Sequence, residues 1–167
     1  MDEITQALFA ASRQGNVPVL MEIFALKDNV DIYDEKGFTP LILAAYNNQP
    51  EAVKALLDAG ASVDIADNSG NTALMGASFK GYHEVAQLLL QNGADMNLQN
   101  GNGGTALMFA AMFGRNDILS LLLESGADKN IRDKRGMTAA GLAAQQGNTD
   151  GLARLEKSED KVTTQNV

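Results

Sequence analysis

The chain returns to the same residue types every 33 positions, and that period constrains its fold more than any other feature. Gly37, Gly70, Gly103 and Gly136 stand one period apart, as do Thr39, Thr72, Thr105 and Thr138. Leu41, Leu74 and Leu107 follow, then Ala44, Ala77, Ala110 and Ala143, and each unit closes on Gly60, Gly93 or Gly126. A period of this length is the mark of a stacked solenoid, in which each unit buries its apolar face only against its neighbours.

Each full unit reads as a turn followed by two helices. Glycine at Gly37, Gly70 and Gly103 accepts the positive φ of a tight turn, which forms the tip of a short β-hairpin finger. Thr39, Thr72 and Thr105 N-cap the first helix, and Pro40 suits its first position, where no partner for a backbone N–H is needed. Small residues such as Ala44, Ala77 and Ala110 let successive first helices approach closely, whereas the second helices carry leucine runs at 56–57, 88–90 and 121–123. Small residues on one layer and large ones on the other curve the stack, with fingers and first helices on the concave face. Gly76 lies one period before Phe109, and the missing side chain is expected to make room for that ring.

The units span about 3–33, 34–66, 67–99, 100–132 and 133–157 in a single domain. The first is degenerate. Leu8, Ala11 and Gly15 keep the register, but Lys27 replaces the closing glycine, so an irregular loop is expected over 27–29. In the last unit Glu156 and Lys157 interrupt the leucine rows and mark a solvent-facing end. Residues 158–167 are polar and unpatterned and are expected to form a disordered tail.

These motifs resemble the ankyrin repeat. Its T-P-L-H-x-A tract corresponds to TPLILA at 39–44, TALMGA at 72–77, TALMFA at 105–110 and, more weakly, TAAGLA at 138–143. Its second tract corresponds to LLDAGASVD, LLLQNGADMN and LLLESGADKN. The histidine of the family tract is replaced by Ile42, Met75, Met108 and Gly141, which removes its usual hydrogen bond to the threonine. The resemblance implies an all-α solenoid of about five helix-turn-helix units that binds a protein and is not an enzyme. It also allows a second role: some small free-standing bacterial ankyrin proteins accompany catalases in oxidative-stress defence, with a part in haem or enzyme maturation.

Composition limits the partner. With 13 basic and 21 acidic residues the chain carries a formal charge of −8, which argues against a nucleic-acid surface. Residues 1–66 hold four basic against ten acidic residues, so a basic partner is expected near the N-terminal repeats. Cysteine is absent, which excludes disulfide and thiolate chemistry. The first residues, MDEITQALFAASRQG, carry acid where a secretory leader needs positive charge, and no apolar run is long enough to span a bilayer. The expectation is a cytoplasmic protein without membrane association, monomeric on its own because both ends of the stack are capped.

Catalytic, metal and cofactor sites are not expected. The single histidine, His83, reads as a solvated helix-start residue, and Met75, Met108 and Met112 as core filler. The glycine cluster at 101–104 lacks the Lys and Ser/Thr of a phosphate loop and falls at a finger tip. Asp34, Asp67 and Asp133 share a register that braces the turn backbone, leaving Asp31 and Glu35 as free carboxylates. The stronger signal is an apolar stripe at exposed ends of the first helices, comprising Tyr46, Phe79, Met112 and Phe113, with Lys80 beside it. Phe38, Asn71 and Met137 stand above it on the finger row, completing the candidate partner site.

Overall fold

A computed structural model describes residues 1–157; the expected tail lies outside these described residues. Ten helices follow in pairs: α1 Glu3–Gln14 with α2 Val17–Phe24, α3 Pro40–Tyr46 with α4 Pro50–Asp58, α5 Ala73–Lys80 with α6 His83–Gln91, α7 Ala106–Met112 with α8 Asn116–Glu124, and α9 Ala139–Gln145 with α10 Thr149–Lys157. The odd-numbered helices pack side by side in an inner layer and the even-numbered ones in an outer layer, the inner contacts being the closer. Alanine explains the difference: Ala44, Ala45, Ala77, Ala110 and Ala111 are fully buried between inner helices.

Local chemistry starts and stops each helix as the pattern requires. The hydroxyl oxygens of Thr39, Thr72, Thr105 and Thr138 accept from the backbone N–H groups of Ile42, Met75, Met108 and Gly141 at 3.2–3.3 Å. At the outer helix ends Gly60, Gly93 and Gly126 adopt φ of 92°, 83° and 97°. The following N–H then reaches back across the last turn, from Ala61 to Leu56, Ala94 to Leu89 and Ala127 to Leu122. Without that glycine, α2 stops on a right-handed Ala25, and the N–H groups of Leu26 and Lys27 both donate to the Ile23 carbonyl. Lys27 turns back, and its ammonium donates to the Thr5 hydroxyl at 3.0 Å.

Of each leucine run, one residue carries the centre of the core. Leu56, Leu89 and Leu122 are fully buried, whereas their neighbours Leu57, Leu88, Leu90, Leu121 and Leu123 are partly exposed. Met75 and Met108 are core residues, and Glu156 and Lys157 face solvent.

The fingers are held by side chains more than by strand pairing; one isolated bridge, Ala66 with Thr72, occurs among the described residues. In each finger the fourth-residue glycine N–H donates to the first residue's carbonyl, as Gly70 does to Asp67 at 2.9 Å. The Asp67 carboxylate accepts from the N–H groups of Ser69 and Asn71, and Asp34, Asn100 and Asp133 repeat the arrangement. Successive fingers are joined by backbone bonds from Asn68 to Lys36, Gly101 to Ser69 and Lys134 to Asn102.

Candidate functional site

The inner helices end where Tyr46, Phe79 and Phe113 emerge from three consecutive repeats. Tyr46 and Phe79 lie nearly parallel with ring centroids 6.5 Å apart, and Phe113 meets Phe79 edge to face at 4.7 Å. Phe109 adds a second edge contact to Phe79 at 6.4 Å. The row is therefore contiguous and self-packed, yet Tyr46 and Phe113 remain 44% and 42% exposed. Lys80 does not reach freely into solvent: its ammonium stands 4.9 Å from the Tyr46 ring centroid.

Two grooves separate this row from the fingers. One, of about 470 Å³, runs from Phe38 and Tyr46 to Asn71 and Phe79, with Met75 and Gly76 also in its lining. The other, of about 420 Å³, holds Met108, Phe109 and Met112 beneath Lys134 and Arg135 of the last finger. Of the sequence candidates, Phe38, Tyr46, Asn71 and Phe79 thus meet in one groove and Met112 joins the next. Met137 instead packs back onto α9, its Cε 3.1 Å from where a Gly141 Cβ would stand.

Two expectations change. The ring next to Gly76 is that of Tyr46, whose Cδ2 lies 3.4 Å from the place of a Cβ, while Phe109 is engaged by Phe79. Asp31 is not a free carboxylate either. It accepts from both the backbone N–H and the hydroxyl of Ser62 in the next repeat. Asp64 accepts likewise from Asp95 N–H and Asn97 from Asp128 N–H, so this row is a ladder joining repeats. Its signal in the sequence is the recurrence of Asp31, Asp64 and Asn97 at one period.

Charge changes along the finger edge. The turn residues are Asp34-Glu35-Lys36-Gly37, Asp67-Asn68-Ser69-Gly70, Asn100-Gly101-Asn102-Gly103 and Asp133-Lys134-Arg135-Gly136. Their net charge runs from negative through neutral to positive. Asp133 is paired with Arg135 at 2.9 Å. Burial works to raise the Asp133 pKa, but the Met137 N–H and the Arg135 side chain and N–H together hold it below the ordinary value.

Groups considered for other chemistry are dispersed. His83 lines an outer depression with Asp117 and Arg154, in the other layer from Met112. Among the described residues no three His, Asp or Glu side chains gather as a metal site, and no helix is long and apolar enough to cross a membrane.

A family model for ankyrin repeats (three copies) matches residues 7–100 and again 77–166. The chain belongs to the ankyrin-repeat family. Its repeats also resemble those of human "Ankyrin repeat and SOCS box protein 3", at 38% identity over 52 residues. That match covers 31% of this chain and 10% of the relative, so the shared part is a short run of repeats within a much longer protein. Ankyrin repeats indicate a protein–protein interaction module, and this chain carries that scaffold along its described length.

Proposed function

We propose that this ankyrin-repeat protein binds a folded protein partner through its concave face and does no chemistry of its own, acting either as an adaptor or as an inhibitor that covers the partner's active site. The observation that carries the reading is the Tyr46–Phe79–Phe113 row. It is partly exposed, it spans three repeats, and it borders two apolar grooves. Self-packing fixes these rings before binding, which lowers the ordering cost of association. Five repeats at about 10 Å per helix layer give a face about 40–50 Å long, sufficient for an interface of standard size. The acidic first half supports a partner with basic character there.

The test is photo-crosslinking in the source cell, with a benzophenone amino acid placed singly at Tyr46, Phe113, Met21 or Gln87. Tyr46 and Phe113 stand on the inner layer, and the exposed Met21 and Gln87 on outer helices α2 and α6. A discrete protein adduct from the inner positions alone is expected. An adduct formed only from Met21 or Gln87 would move the interface to the convex layer and defeat the reading.

A further inference from the structure

The groove over Gly76 differs from the rest of the concave face in three ways. Its floor is made of Ile42, Leu43 and Met75, with aromatic walls from Tyr46 and Phe79. Gly76 contributes no side chain, and a Cβ there would reach only ordinary contact with Tyr46. The polar rim is acidic: Asp67 lines the groove, and its finger, Asp67-Asn68-Ser69-Gly70, contains no cation of the kind that Arg135 supplies to Asp133. The neighbouring first finger, net negative, adds the exposed carboxylate of Glu35 beside Lys36, while the Lys80 ammonium is already engaged on the Tyr46 ring. By contrast the second groove is rimmed by Lys134 and Arg135.

We infer that the groove over Gly76 is the anchor pocket of the partner site, taking one bulky aliphatic or aromatic side chain from a partner segment whose flanking residues are Arg or Lys. The inference rests on the concave-face reading and specifies its partner. An apolar side chain entering the groove covers the floor and the two aromatic walls, and binding energy concentrates at such central, desolvated anchors. Flanking guanidinium or ammonium groups then meet Asp67 on the rim and Glu35 beyond it. These rim contacts set orientation and approach more than affinity.

The third finger supplies a built-in control. Asn100 holds its turn with the same two N–H bonds that Asp67 accepts, so Asp67→Asn removes the charge while keeping the brace. Gly76→Leu fills the groove, and Gly76→Ala narrows it with no contact closer than 3.4 Å.

The experiment titrates three blocked tripeptides, acetyl-Arg-Leu-Arg-amide, acetyl-Arg-Gly-Arg-amide and acetyl-Glu-Leu-Glu-amide, into the ¹⁵N-labelled full chain. Amide shifts at Gly76, Asn71 and Phe79 are followed to millimolar concentration. Arg-Leu-Arg is expected to give saturable shifts there and to bind about tenfold more tightly than Arg-Gly-Arg. Gly76→Leu should abolish the saturation, Gly76→Ala should weaken it, and Asp67→Asn should weaken it by about two- to fivefold at low salt. Equal binding of the Arg-Leu-Arg and Arg-Gly-Arg peptides, or absence of shifts at these three amides, overturns the anchor pocket. Glu-Leu-Glu is expected to bind more weakly than Arg-Leu-Arg, and equal or tighter binding of it overturns the basic flanks. Saturable shifts confined to Phe113 and Arg115 overturn the pocket while leaving a concave-face interface standing, and the crosslinking map judges that interface independently. Concentration-dependent dimerisation of the wild type that disappears in Gly76→Leu would overturn a foreign partner in favour of a second copy.

Discussion

Truncating Leu89 to alanine probes how the stack holds together. Leu89 is fully buried on α6, at the centre of the outer layer. Loss of three carbons at about 0.8 kcal/mol per methylene gives about 2.4 kcal/mol before any cavity term. With the cavity the cost falls within about 2–5 kcal/mol, because neighbours close such a space only in part. For a chain of this size that corresponds to a fall in Tm of about 2–4 °C per kcal/mol. The structure also says where coupling should fail. The outer helices make their fewest contacts between α6 and α8, so the third and fourth repeats depend chiefly on α5 against α7. Urea unfolding followed by circular dichroism should therefore show a lower midpoint and a broadened or two-step transition, as one half releases from the other. A single sharp transition displaced by less than about 1 kcal/mol would refute the argument, since a fully buried leucine in a nearest-neighbour stack cannot be lost so cheaply.

Further outcomes follow from the fingers and the acid titration. Asp67→Ala removes the acceptor of the Ser69 and Asn71 N–H groups, which water can partly replace, and should cost about 0.5–1.5 kcal/mol, whereas Asp67→Asn should stay within about 0.5 kcal/mol of wild type in denaturant titrations. Gly103→Ala and Gly136→Ala face the same left-handed backbone, at φ of 78° and 81°, but a Cβ at Gly103 would come within 2.9 Å of the Lys134 nitrogen while none is near at Gly136. Thermal melts should thus rank Gly103→Ala as the more damaging, with Gly136→Ala costing about 1–2 kcal/mol. Asp133 has a folded pKa below its unfolded one, so its contribution is present above the unfolded value and is lost as pH falls through the folded value. Melting temperatures taken from pH 7 downward should fall in that acid range for wild type, and less steeply for Asp133→Asn.

The fold was legible because the chemistry that starts and stops each helix is local. Thr72 caps α5 through a bond to an N–H three residues away, and Gly93 ends α6 by its own φ. Such features survive in a one-dimensional reading, and the period multiplies them. The placement of the aromatic row was legible for a related reason: Tyr46, Phe79 and Met112 share a register, so a solenoid must bring them side by side. Which ring touches which was not legible. Phe79 pairs with Phe113 from the neighbouring register row, and Tyr46 covers Gly76, because rotamers and the offset between repeats decide these contacts. Met137 escaped for the same reason, since Gly141 leaves space for it to fold back. Asp31 shows a different limit. An acidic residue beside an exposed finger reads as free until the backbone N–H of Ser62, thirty-one positions on, is seen to meet it.

The decisive quantity for a concave-face interface is the dissociation constant of the crosslinked partner, purified and titrated against two double variants. Tyr46→Ala with Phe113→Ala removes the two most exposed rings of the row, and Met21→Ala with Gln87→Ala alters the outer helices. A loss of at least about tenfold is expected for the first pair and little change for the second. Unchanged affinity in the first pair, with weakening in the second, would contradict it.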